Sequence, residues 1–119
     1  METVSQILIG IIAFIHLYIF VFESFLWETR GPQVFVNFPK DLFPKTKALA
    51  FNQGVYNLFL SLGLLWTFFI EDLLWQQNIS LFFLGCVFIA GLAGAMTEKK
   101  ILLVQSLPAA IGLVLVLLS

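Results

Sequence analysis

Few side chains in this sequence can exchange protons or bind a charged group, and two of them lie together in an apolar stretch. His16 and Glu23 both belong to the mainly apolar segment that precedes residue 27. An imidazole and a carboxyl group can move protons or bind a cation. Because an ionisable group is costly in hydrocarbon, Glu23 should face protein and find partners there. We therefore place these two residues at the centre of a candidate site.

Hydrogen-bonding side chains also interrupt two other apolar stretches. The sequence FNQGVYN, residues 51–57, carries Asn52, Gln53, Tyr56 and Asn57, and a later stretch carries Gln105. Such groups commonly join membrane helices to one another, contributing on average about 0.6 kcal/mol each, without binding any ligand. Together with Glu23 and His16, they favour a functional site.

Helical projection predicts which of these residues meet. His16, Phe20, Glu23 and Trp27 recur with the spacing of a single helix face. The second test is depth, measured along each helix from its cytoplasmic end. About 6 to 10 Å from that end we expect Glu23, Asn52, Gln53 and Gln105, and deeper we expect Tyr56, Asn57 and His16. We expect Glu23 to be protonated or held by the amides of Asn52, Gln53 or Gln105, with His16 as a proton partner. The candidate ligand-binding residues are His16, Phe20, Glu23, Asn52, Gln53, Tyr56, Asn57 and Gln105.

The elements that must position this cluster are membrane helices. The chain of 119 residues is 61% hydrophobic and 11% charged, with mean hydropathy +1.02, whereas soluble domains have about 25% charged residues. The sequence predicts an all-α, integral membrane four-helix bundle in one membrane domain, residues 1–119. Its helices should span about residues 4–27, 47–70, 79–96 and 101–118. The prolines of the interfacial loop, residues 28–46, should prevent a continuous helix.

The basic residues predict the orientation of these helices. All six fall in the connections between the first and second or the third and fourth helices: Arg30, Lys40, Lys45, Lys47, Lys99 and Lys100. Basic residues near helix ends stay on the cytoplasmic side. We expect a multi-pass protein of the cell membrane with the loop 28–46 cytoplasmic and both termini extracytoplasmic.

Small residues in the third helix predict close helix packing. Ala90, Gly91, Gly94 and Ala95 form pairs four residues apart, which let backbones approach closely within the chain or between two copies. The partners expected are the lipid bilayer, a small amphipathic or lipid-like ligand and a second copy through these residues. We expect no metal site, no cofactor and no nucleic acid, since no ligand cluster or phosphate-binding glycine loop is present.

Three blocks of sequence resemble a known family. HLYIFVFESFLW, KALAFNQGVYNLFLSLGLLW and LFFLGCVFIAGLAGAMTEKKILLVQSLP are similar to the conserved blocks of domain of unknown function 1304, a family of small bacterial membrane proteins. The similarity is specific in the spacing of His16 and Glu23, in the block from Asn52 to Asn57, and in Gln105 with Pro108. It implies a four-helix membrane protein and supplies no mechanism.

The sequence is compatible with three functions. The first is binding or transport of a small amphipathic or cationic molecule in a polar cavity open to the cytoplasm, with Glu23 exchanging a proton for the ligand. The second is an intramembrane enzyme, for example an isomerase in which Glu23 and His16 move protons on a lipid-like substrate. The third is a structural or partner-binding membrane subunit. We expect the first.

Overall fold

A computed structural model describes all 119 residues and consists of helices without a β-strand, as the sequence predicts. The helices are α1 (Thr3–Phe25), α2 (Trp27–Val34), α3 (Leu42–Lys45), α4 (Lys47–Trp66), α5 (Leu73–Ala95) and α6 (Leu107–Leu118). A 3₁₀ turn, Thr67–Phe69, follows α4, and a π-helical segment, Leu102–Ser106, precedes α6. The fold is therefore all-α.

Three helical stretches are long and apolar enough to cross a membrane. These are Thr3–Phe25, Lys47–Phe69 and Leu73–Ala95, each of 23 residues, with hydropathies of 2.3, 1.3 and 2.0. At 1.5 Å per residue such a helix is about 34 Å long, which exceeds the roughly 30 Å of a bilayer core. The fourth apolar stretch, Leu102–Leu118, is shorter. These helices indicate a membrane protein.

Helix α5 begins six residues before the predicted position at residue 79. Asp72 caps it by accepting a hydrogen bond from the backbone N–H of Trp75 at 3.0 Å. Two polar side chains of its first turns are buried and paired: Gln76 Nε2 donates to the Thr67 carbonyl at 3.0 Å, and Ser80 Oγ to the Gln76 carbonyl at 2.7 Å. The hydropathy pattern predicts too late a start for α5, because these polar residues lower the local mean hydropathy.

The predicted loop, residues 28–46, contains two short helices, with Pro32 inside α2. Pro32 lacks the N–H that would donate to the Glu28 carbonyl four residues earlier, and α2 ends two residues later at Val34. Trp27 packs against Phe43 with ring centroids 4.9 Å apart, and its indole Nε1 donates to Thr46 Oγ1 at 2.9 Å. These contacts order the connection between α1 and α4.

The chain divides into two compact units. One comprises Met1–Phe14 and Leu60–Ser119, and the other is Ile15–Phe59. In the first unit the buried core is formed by Ile9, Ile12, Ala13, Leu64, Leu84, Val87, Ala109 and Val116. In the second unit the largest fully buried side chain is Phe43, in α3. The single membrane domain, residues 1–119, stays a prediction.

Two of the small residues of α5, Gly91 and Gly94, pack within the chain. A Cβ added to Gly91 would lie 2.7 Å from the backbone nitrogen of Ser106, and one added to Gly94 would lie 3.0 Å from Ile101. The π-helical segment therefore contacts this face of α5, just before Pro108 in the first turn of α6. The homo-oligomer through Ala90, Gly91, Gly94 and Ala95 stays a prediction.

Candidate functional site

Helices α1 and α4 run antiparallel in the unit Ile15–Phe59, and a glycine brings them together. A Cβ added to Gly54 would lie 3.1 Å from the Phe20 carbonyl oxygen, 3.3 Å from Glu23 Cβ, and in collision with Ser24 Oγ. Glycine permits this approach without displacing a neighbouring atom. The close contact places the last turns of α1 against the middle of α4.

Glu23 and Asn57 form the polar centre of this contact. Asn57 Nδ2 donates to Glu23 Oε1 at 2.7 Å and also to the Gln53 backbone carbonyl at 3.0 Å. Both amide hydrogens of Asn57 are therefore engaged, so its side chain is held in one orientation. The Glu23 carboxyl group accepts no other hydrogen bond from the chain, and its side chain is half-buried.

The predicted donors Asn52 and Gln53 form no hydrogen bond with Glu23. Its donor in the structure is Asn57. Asn52 and Gln53 are exposed, and their side-chain amides form no hydrogen bond within the chain. Around the axis of α4, Asn57 lies about 60° from Gly54, whereas Gln53 lies about 100° away and Asn52 about 160° away. Tyr56, also about 160° from Gly54, is exposed and packs its ring against Phe59 at 6.0 Å.

His16 and Phe20 lie on the same face of α1 as Glu23. The His16 side chain is completely buried. Phe20 is partly buried, with its ring edge-on to Phe25 at 5.8 Å, and its carbonyl faces Gly54. Of the candidate residues in this unit, Phe20, Glu23 and Asn57 thus surround the closest approach of α1 to α4.

Gln105 belongs to the other compact unit, where it is partly buried in the π-helical segment. Its Cβ lies 2.9 Å from the position of a Cβ added to Gly91. The neighbouring Ser106 Oγ donates to the Phe88 carbonyl at 2.9 Å. The contact between Gln105 and Glu23 that depth arguments predict stays a prediction.

Ser24 is the residue that the sequence reasoning missed. Its Oγ is buried and has no hydrogen-bond partner. The side chain also borders an open groove of about 450 Å³ at the start of α4. The sequence does contain a feature that identifies Ser24, namely a hydroxyl directly after Glu23. Two adjacent polar residues in an apolar helix both need hydrogen-bond partners.

This arrangement can bind a proton or a cation. A carboxylate has about four acceptor positions, and one amide donor fills only one of them. The rigid Asn57 amide orients Glu23, while half-burial lowers the local dielectric and strengthens a charge contact.

The comparison with known proteins gives one match. A family model described as "Protein of unknown function (DUF1304)" matches residues 10–117, a range that contains every candidate residue. The resemblance noted in the sequence is thereby confirmed. No curated protein and no solved structure matches the chain.

Proposed function

The chain belongs to the DUF1304 family, and we propose that it is an integral protein of the cell membrane that binds or transports a small amphipathic or cationic molecule at Glu23. The family model matches nearly the whole chain, and its description names no activity. The proposal therefore rests on the geometry of the residues around Glu23.

In the proposed arrangement the membrane is crossed by a four-helix bundle of α1, α4, α5 and the stretch Leu102–Leu118. Both termini are extracytoplasmic. The six basic residues support this orientation, because they lie between α1 and α4, at the first residue of α4, or directly before the fourth stretch, and none lies near the connection at Glu71. The end of α1 that carries Glu23 then lies towards the cytoplasm.

The observation that carries the proposal is the incomplete pairing of Glu23. Its carboxyl group accepts one hydrogen bond, from Asn57, although it stands in an apolar helix and is half-buried. Ionisable groups at such positions need compensation by a partner or by a proton. A cationic ligand at the remaining acceptor positions supplies that compensation, and its apolar part can contact Phe20.

Binding is favoured over proton transfer by the burial of His16. Acid-base chemistry on a lipid-like substrate requires both side chains to reach the substrate. Glu23 is partly accessible, whereas His16 is completely buried. We therefore centre the binding site on Phe20, Glu23 and Asn57, and the roles of the other candidate residues stay predictions.

Calorimetry of the purified protein in detergent micelles, with tetraphenylphosphonium as a lipophilic cation, tests this function. We expect Glu23→Gln to weaken binding at least about tenfold, which corresponds to about 1.4 kcal/mol. Affinity of the unaltered protein should fall as the pH is lowered, because protons compete for the carboxylate.

The matched control is Glu71→Gln, which removes an exposed carboxylate from the connection before α5. It should bind like the unaltered protein. Equal affinities of the Glu23→Gln variant and the control, or an affinity independent of pH, would refute a cation site at Glu23.

A further inference from the structure

The open groove in the unit Ile15–Phe59 is distinct from the Glu23 contact. Its volume is about 450 Å³, and neither Glu23 nor Asn57 lines it. The lining residues are Ser24, Pro44, Lys45, Lys47, Ala48 and Phe51. Two of these are basic and three are apolar, so the groove is amphipathic.

Its basic residues are available to an anion. Lys45 lies 3.7 Å from Asp41, and Lys47 lies 3.3 Å from Glu28, with both lysine side chains about 70% exposed. Ion pairs this exposed contribute little stability. Either ammonium group can therefore turn from its carboxylate to a bound anion at low cost.

The start of α4 adds to the positive potential. Its first turn contains Lys47 and no acidic residue, and the first backbone N–H groups of a helix lack intrahelical acceptors. Thr46 does not cap them, because its hydroxyl donates to the Leu42 carbonyl at 2.7 Å and accepts from Trp27. These N–H groups remain open to an anion.

The short helix α3, which carries Lys45, is tightly packed. Phe43, next to Pro44, is buried and packs against Trp27 and Phe38, with ring centroids 4.9 and 5.0 Å away. A Cβ added to Gly31 would lie 2.5 Å from the nearest atom of the Phe43 ring. The tight packing around Phe43 fixes where Lys45 enters the groove.

Ser24, which also lines the groove, provides an unused hydrogen-bonding group. Its Oγ points to Gly54 and has no partner there. Rotation of this short side chain turns the hydroxyl into the groove, where it can donate to an anionic oxygen.

We propose that this groove binds the headgroup of an anionic phospholipid, with the phosphate between Lys45 and Lys47 and an acyl chain over Phe51 and Ala48. A free phosphate would leave the apolar wall unused, and Phe51 is 48% exposed. The inference rests on the membrane orientation proposed above, in which these lysines face the anionic cytoplasmic leaflet.

Native mass spectrometry of the protein in micelles tests the lipid site, with phosphatidylglycerol and phosphatidylcholine as competing probes. The unaltered protein should retain phosphatidylglycerol in preference. We expect Lys45→Gln with Lys47→Gln to reduce that preference about tenfold. Ala48→Trp, at an exposed position, should reduce retention of both lipids by filling the groove.

The matched control is Lys99→Gln with Lys100→Gln, which removes an equal charge from another exposed basic pair. It should leave the preference unchanged. Equal losses in the two double variants, no preference in the unaltered protein, or displacement by an equal concentration of inorganic phosphate would each overturn the lipid site. If only the lipid site is wrong, the binding of tetraphenylphosphonium at Glu23 should be unaffected. Release of the chain from membranes by alkaline carbonate would overturn both proposals.

Discussion

The contact between α1 and α4 at Ser24 and the contact of α5 with the π-helical segment at Ser106 are built alike but completed differently. Each places a glycine, Gly54 or Gly91, directly against a serine hydroxyl. Ser106 Oγ donates to the Phe88 carbonyl at 2.9 Å, whereas Ser24 Oγ is buried without a partner. The contact at Ser106 is complete in itself, whereas the contact at Ser24 retains an unused hydrogen-bonding group.

The difference does not arise from the pair of helices involved. Ser61 of α4 donates to the Ala13 carbonyl of α1 at 2.8 Å, and both residues are completely buried. These two helices can therefore form a fully satisfied contact. Buried polar groups are normally paired, so the incomplete set beside Glu23 supports the ligand site proposed above.

The largest effect expected is from Gly91→Ala. The new Cβ would meet the Ser106 nitrogen at 2.7 Å and Gln105 Cβ at 2.9 Å, so the backbone must move, at a cost of about 2 to 3 kcal/mol. Unfolding by added SDS in mixed micelles, followed by circular dichroism, measures the loss.

The control in the same helix is Gly85→Ala, because its added Cβ would meet no side chain or backbone beyond its own stretch of helix within 4 Å. It should be neutral or raise stability by up to about 1 kcal/mol, since alanine favours a helix. Gly54→Ala should cost less than Gly91→Ala, because the nearest atom, Ser24 Oγ, can rotate away. Equal losses at Gly54 and Gly91 would show that the Ser24 contact is as rigid as the Ser106 contact.

A second prediction concerns the one donor to Glu23. Asn57→Ala leaves the carboxyl group without a hydrogen bond from the chain and should lower the free energy of unfolding by about 1 to 3 kcal/mol. Asn52→Ala removes the same amide from an exposed position of the same helix and should change stability by less than about 0.5 kcal/mol. The same SDS titration compares the two.

Combining Asn57→Ala with Glu23→Leu sharpens this test. If the loss comes from an unpaired carboxyl group, it should largely disappear once the carboxyl group is gone. An undiminished loss in the double variant would assign the effect of Asn57→Ala to packing.

The sequence predicts the helices and the importance of Glu23, but not its partner. Apolar length and spacing are local properties, so they locate α1 and α4 and place Glu23 on the face of His16. The depth argument selects Asn52 and Gln53, whereas the structure pairs Glu23 with Asn57, four or five residues further along α4. That difference corresponds to about 6 to 7.5 Å along the axis.

The shift has a tertiary cause that hydropathy does not carry. The short helices α2 and α3 and the Trp27–Thr46 hydrogen bond fix where α4 starts relative to the end of α1. Gly54 then decides which face of α4 approaches α1, and this face contains Asn57 and excludes Asn52. A single sequence gives the period of a helix but not the register between two helices.

The smallest effect expected is the difference between two serine substitutions. Ser106→Ala removes the donor to the Phe88 carbonyl and should cost about 0.6 kcal/mol, the average for such bonds in membrane proteins. Ser24→Ala removes a buried hydroxyl that forms no bond, so stability should stay equal or rise slightly. Thermal unfolding in phosphatidylcholine nanodiscs, repeated with phosphatidylglycerol, measures both. If Ser24 donates to a bound anionic headgroup, Ser24→Ala becomes destabilising only in phosphatidylglycerol, whereas the effect of Ser106→Ala is the same in both lipids. If the effect of Ser24→Ala on stability is the same in both lipids, Ser24 does not donate to a bound anionic headgroup.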